Sequence, residues 1–255
     1  MKKTLLIFLI LVISIFACKK KVNTSPGSLK KGSPEYIMNM GLYYLNQGKI
    51  DLAEKELLKA LRKSPNMLRA YNGLGIVYIY KRQFEKAITN FNRVLKMNPG
   101  YHDANNSLGL IYTELDKYDL AKENLLIAAN SSTYSNPENA YHNLSRLEFD
   151  KGKYKSALRY VNKGLEIDKN FAPLLNMKGL IHETQNDFNE AIKLYNKARS
   201  LLASEDVTNL INLGRVYSKM GNKNKALDIL EKALAAARVN NDRVIIRRMI
   251  KELEK

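Results

Sequence analysis

Few residues in this 255-residue chain have the chemistry to attack a bond or hold a metal. It contains one cysteine, Cys18, and three histidines, His102, His142 and His182. With no second cysteine, Cys18 has no disulfide to form. His182-Glu183 is not followed by a second histidine four residues on, so the helix-borne zinc pair of metalloproteases is missing. Asn72-Gly73-Leu74-Gly75 has the look of a phosphate loop, but no strand precedes it and it lies within a helical pattern, where glycine serves packing. The histidines fall at different positions of a sequence repeat, so a repeating fold does not converge them. The chain is expected to be no enzyme, with no catalytic residue, metal site or cofactor.

Cys18 gains a role from its surroundings. Met1, Lys2 and Lys3 form a cationic head, and Leu5 to Phe16 is apolar but for Ser14. That run is short of the about 20 apolar residues of a spanning helix, and lysines flank it on both sides; it reads as a secretory signal, residues 1–17. Ile15-Phe16-Ala17-Cys18 resembles the lipobox of bacterial lipoproteins. The resemblance implies cleavage before Cys18 and acylation of its sulfur and new amine, and two chains anchor where one holds only weakly. Residues 18–33 are polar and basic with Ser, Pro and Gly, a composition that reads as a lipidated flexible tether.

The formal net charge is +17, or +15 once Lys2 and Lys3 are removed with the signal, leaving 40 basic against 25 acidic side chains. Such a surface attracts anions, yet the plentiful Lys, Asn, Ile and Tyr also fit an AT-rich coding bias, so no nucleic-acid partner is expected. An electrostatic partner would in any case be released by salt. Without a disulfide framework, stability must come from packing, and the chain is long enough for a sizeable core.

From Pro34 onward the elements that position these residues repeat. Gly41, Gly75 and Gly109 are 34 residues apart, and Ser145, Gly179 and Gly214 continue the series. Twelve residues after each stands alanine, at 53, 87, 121, 157, 191 and 226; three residues after most stands a ring, at Tyr44, Tyr78, Tyr112, His182 and Tyr217. Period and positions resemble the tetratricopeptide repeat, two antiparallel helices per unit. The small residues let the helices approach, the ring fills the volume beside them, and Pro65 and Pro99 help close the first two units. The expected fold is all-α: a right-handed superhelix, an α-α solenoid of six helix-turn-helix repeats over 34–240. A capping helix follows over 241–255, with Val244, Ile245, Met249, Ile250 and Leu253 on its apolar side, because a last unit must cover its hydrophobic face.

Proteins of this shape work through a concave groove lined by the first helix of each unit. Its expected lining is Met38, Leu42 and Leu45 in unit one, Asn72, Ile76 and Ile79 in unit two, and Asn106 and Leu110 in unit three. By unit six the equivalents are Ile211, Arg215, Ser218 and Lys219, so the wall turns from apolar to polar. The first helix of unit one is apolar nearly all round. Met38, Leu42 and Leu45 are expected to form a stripe left uncovered by the fold, on which a protein partner docks.

Lipobox, short basic tether, six units and a terminal helix together resemble the pilotin-type lipoproteins of type IV pilus biogenesis. The segment Asn105 to Leu158, with the paired Asn105 and Asn106 and a lengthened loop from Tyr134 to Pro137, is similar to that family's third and fourth units. The resemblance implies a monomer anchored by its lipid to the periplasmic face of the outer membrane, where Lys19 after the cysteine favours sorting. It further implies a partner, a secretin subunit whose insertion and multimerisation the protein promotes. A general envelope adaptor, tethering peptidoglycan enzymes or other periplasmic complexes, would share these features.

Overall fold

The computed structural model describes residues 29–202 and 206–255; the expected signal, Cys18 and most of the expected tether lie outside them. Among the described residues there are thirteen helices and no strand. They are α1 (Pro34–Asn46), α2 (Ile50–Lys63), α3 (Leu68–Tyr80), α4 (Phe84–Met97), α5 (His102–Glu114), α6 (Tyr118–Ala129) and α7 (Pro137–Asp150). These are followed by α8 (Tyr154–Ile167), α9 (Ala172–Thr184), α10 (Phe188–Ser200), α11 (Val207–Lys219), α12 (Lys223–Ala236) and α13 (Asn240–Glu254).

The ladder starts with a capped end. Ser33 Oγ accepts the Tyr36 N–H at 3.2 Å, and Pro34 occupies the first helical turn, where a missing N–H costs nothing. Within each pair the turn is built the same way. The residue seven after the repeat's small residue has positive φ in all six pairs: Gly48, Arg82, Asp116, Gly152, Asn186 and Gly221. The N–H that follows it reaches back to the carbonyl of the ring position, as in Lys49 to Tyr44 at 2.9 Å and Asn222 to Tyr217 at 2.9 Å. This left-handed helix end satisfies carbonyls that would otherwise be orphaned. Glycine marks three of these turns in the sequence; the geometry imposes the same backbone on Arg82, Asp116 and Asn186. Because a side chain in that region is strained, Arg82→Gly is expected to stabilise the protein by about 0.5–1 kcal/mol despite the extra freedom of the unfolded chain, read as a raised midpoint in urea unfolding.

The same small-against-large contact holds the pairs together. A Cβ on Gly41 would fall 2.7 Å from Leu57, on Gly75 2.6 Å from Phe91, on Gly109 2.5 Å from Leu125 and on Gly214 2.7 Å from Leu230. All four large partners, and the six repeat alanines, have no exposed surface.

The described residues divide into two compact bodies, one up to Ala140 and one from Tyr141 onward. In the first, each of α3 and α5 packs on the helix before it, and α3 also on α1. The long connection after α6 is pinned to the start of α5: Thr133 Oγ1 lies 3.3 Å from His102 Nε2, and the buried Tyr134 ring meets His102 edge-on.

In the second body α13 packs on α12 and α11. The anchor of this terminal helix is Ile246, which is fully buried, with Met249, Ile250 and Leu253 against the same cluster. Val244 does not belong to the apolar side expected for it: it is 64% exposed. The helix is rotated so that the i, i+3, i+4, i+7 series from Ile246 faces inward. Asp242 is buried beside it, and its Oδ1 accepts no hydrogen bond from a described residue. Burial, then the charge of Asp206, holds its carboxyl above the usual range. A raised folded value stabilises at low pH and is lost as pH rises through it, so α13 is seated at a cost at neutral pH. Asp242→Asn is expected to raise stability by about 1 kcal/mol at pH 7, with the gain shrinking toward pH 4 in paired thermal scans.

Candidate protein-binding surface

The first helices of the first body were the expected docking wall, and the structure sorts their residues into two groups. Met38, Leu45, Ile79 and Leu110 are buried. Leu42, Asn72, Ile76 and Asn106 are half-buried. The expectation that Met38, Leu42 and Leu45 form one uncovered stripe is therefore corrected. Met38 and Leu45 join the core cluster that α1 shares with α3, and Leu42 packs against the same cluster. The physical reason is that α3 packs on α1 as well as on α2, so its apolar side covers Met38 and Leu45. Gly73 makes the approach possible, since a Cβ there would fall 2.8 Å from Leu42 Cδ2. What stays partly accessible is the pair Leu42 and Ile76, with Asn46, Tyr80, Thr113 and Glu114 on α1, α3 and α5.

In the second body α9 and α11 place ionic groups at some of the corresponding positions. Glu183, four residues after Gly179, is 1% exposed and receives Arg215 Nε at 2.7 Å, Arg215 Nη2 at 2.8 Å and Lys219 Nζ at 2.8 Å. The Tyr195 hydroxyl donates to the same carboxylate at 3.0 Å. Burial pushes the Glu183 carboxyl up, but the hydrogen bonds and charges of Arg215 and Lys219 outweigh it, so it is held below the usual carboxylate range. Burial raises the Tyr195 phenol, and the Glu183 charge raises it further. Asn209 Nδ2 donates to Asn176 Oδ1 at 2.8 Å, adding a second polar tie between α9 and α11.

Arg215 and Lys219, expected as a polar groove wall, are thus largely committed to Glu183. Glu183 itself escaped sequence reasoning. The available signal was its alignment with Leu45 and Ile79, together with an opposite charge at the Leu42 and Ile76 position one unit later.

The histidines have separate settings. His102 holds the long connection, His182 Nδ1 lies 3.0 Å from Asp187 Oδ2, and His142 is buried. Burial first, and the Arg146 charge second, push the His142 imidazole down to about 3, so it is neutral at physiological pH. Among the described residues no group of three or more His, Cys, Asp or Glu could hold a metal ion, and no helix is long and apolar enough to cross a membrane. What the surface offers is side chains for binding.

Comparison with known proteins agrees with this architecture. Tetratricopeptide-repeat models match residues 38–79, 68–101, 102–126 with 138–171, and 171–238. No curated protein matches the sequence. Among solved structures, the pilF protein of Pseudomonas aeruginosa is similar at 18% identity and a TM-score of 0.69, over 87% of this chain and 96% of that one. PilW, a widely conserved type IV pilus biogenesis factor, is similar at 17% identity and a TM-score of 0.70, over 84% of this chain and 98% of that one. A tetratricopeptide repeat protein of Parabacteroides merdae is similar at 19% identity and a TM-score of 0.69, over 87% of this chain and 84% of that one. At these identities the likeness is one of fold. With six helix pairs in one register, a shared turn geometry and models that together match residues 38–126 and 138–238, the chain belongs to the tetratricopeptide-repeat family of protein-binding scaffolds.

Proposed function

We propose that this scaffold is a lipid-anchored pilotin of type IV pilus biogenesis: Cys18 carries the acyl chains at the outer membrane, and the first three units hold an apolar segment of a secretin subunit. The observation that carries the reading is the partly exposed pair Leu42 and Ile76 on α1 and α3, at the position where α11 of the second body has Arg215. The lipobox around Cys18 and the fold shared with pilF and PilW support the same reading. A groove that covers apolar segments at a membrane surface would keep pore subunits from aggregating before assembly. Burying each of the two side chains contributes about 1.5–3 kcal/mol before association costs.

The test has two arms. Mass spectrometry of the protein from its membrane should find Cys18 as an acylated N-terminus; an unmodified Cys18 overturns the anchor. Immobilised full chain should retain purified secretin subunits at high salt, and Leu42→Glu with Ile76→Glu should lose them at unchanged circular dichroism. Equal retention by the double variant overturns the groove assignment. No retention by the parent chain overturns the pilotin role.

A further inference from the structure

The end of the first body, where no described unit precedes α1, carries an apolar face whose counterparts are buried in later units. Two residues after the repeat's small residue stand Val77, Ile111, Ile181 and Val216, none more than 1% exposed; in α1 this is Tyr43, 43% exposed. The residue before the small one is Leu74, Leu108 or Leu213, at most 2% exposed, but the equivalent Met40 is half-buried. Five before it, Ala70, Ala104 and Leu174 are fully buried and Tyr36 is not. Tyr36, Met40 and Tyr43 follow i, i+4, i+7 spacing and make one stripe of the helix. For α3 the same stripe is closed by packing on α1 and α2. Whatever closes it on α1 must therefore resemble a helix in the place that α2 takes against α3.

The chain's own approach supplies little for that purpose. Residues 19–32 offer Val22 and Leu29 as their only large apolar side chains, and Leu29 is itself exposed. A second copy would bring a net charge of +15, counted without Lys2 and Lys3, to a face already bordered by cations. Lys30 and Lys31 precede α1, Lys63 Nζ reaches the Gly32 carbonyl at 3.0 Å and Lys49 follows the helix, four cations against one exposed acid, Glu35, in its first turn. Like charges of that number oppose self-association and favour an anionic occupant.

We propose that the Tyr36–Met40–Tyr43 face is a docking surface for an acidic amphipathic helix of another protein, seated on α1 as α2 is seated on α3. It is separate from the Leu42–Ile76 surface, because Leu42 faces another side of α1, and it stands whether or not the partner of that surface is a secretin.

The experiment uses the full chain and two labelled, side-chain-stapled helices of 14 residues, the length of α2. Both carry leucine at i, i+3, i+4 and i+7; one has glutamate elsewhere and the other lysine. Fluorescence anisotropy should show the glutamate helix binding at least tenfold tighter than its lysine twin. Tyr43→Ser should weaken it at least fivefold, and Leu42→Glu should leave it within twofold. Equal binding of the two helices, indifference to Tyr43→Ser, or loss with Leu42→Glu each overturns the proposal. So does a dimer in sedimentation velocity that Tyr43→Ser dissociates, which would make a second copy the occupant. In a Cys18→Ser background, Tyr43→Cys should react with maleimide as fast as Asn92→Cys, an exposed reference. Labelling tenfold slower at position 43 would mean that the chain covers its own face, and would overturn the proposal as well.

Discussion

Arg215→Met is expected to destabilise the second body by about 3–5 kcal/mol, the range for stranding one member of a buried ion pair. The substitution keeps most of the side-chain volume and removes both short hydrogen bonds to Glu183, which is 1% exposed. Lys219 remains, but its ammonium is half in water and supplies one contact where the guanidinium supplies two. The pH profile separates this cause from simple loss of packing. In the parent protein, Arg215 and Lys219 hold the Glu183 carboxyl below its ordinary range. That stability is present above the unfolded value and is lost as pH falls through the depressed folded value. Without Arg215 the burial that opposes ionisation dominates, the folded value rises above the unfolded one, and protonation becomes stabilising. Urea unfolding of the variant should therefore show stability increasing from pH 7 to pH 5 by clearly more than the parent's does. A variant that is destabilised yet follows the parent's pH dependence over that interval would make Arg215 a packing residue. Replacing the pair together, Glu183→Leu with Arg215→Met, should recover much of the loss, because matched apolar groups need no partner.

A second large effect is expected in the first body. Phe91 has no exposed surface, and its ring lies where a Cβ on Gly75 would be, 2.6 Å from Cζ. Phe91→Ala should cost about 3–5 kcal/mol through lost burial and the cavity left behind. Gly75→Ala, a change that normally favours a helix, should instead cost about 1–3 kcal/mol, since the new methyl meets a ring that closely packed neighbours hold in place. The two are coupled: in the Phe91→Ala background the cavity accepts the methyl, and Gly75→Ala should become neutral or stabilising. Equilibrium unfolding of the four proteins closes this double-mutant cycle, with a coupling of about 1–3 kcal/mol expected. Additive costs would mean that Gly75 matters for some reason other than the approach of α4 to α3.

Gly75 was legible as a point of close helix approach because the repeat places a small residue there six times; that the Phe91 ring fills the space against it is decided by the packing of α4 on α3. Glu183 was not legible. In sequence it follows His182 on the first helix of unit five, and its partners lie 32 and 36 residues away on another helix. Only packing α11 on α9 brings a carboxylate and two cations to one point. The turns show the same division: Gly48, Gly152 and Gly221 announce a left-handed backbone, whereas Arg82, Asp116 and Asn186 adopt it because a helix pair of fixed geometry leaves no other path.

The amino-acid order alone determined that this chain folds as helix pairs, where each pair turns and which small residues lie between helices, because those are short-range consequences of periodicity and side-chain volume. Which of the apolar residues of α1 end up covered was decided by the packing of α3. That packing buries Met38 and Leu45 and leaves Tyr43 facing water, since the side of a helix that is hidden depends on the angle of its neighbour, a property of the pair that neither sequence carries by itself.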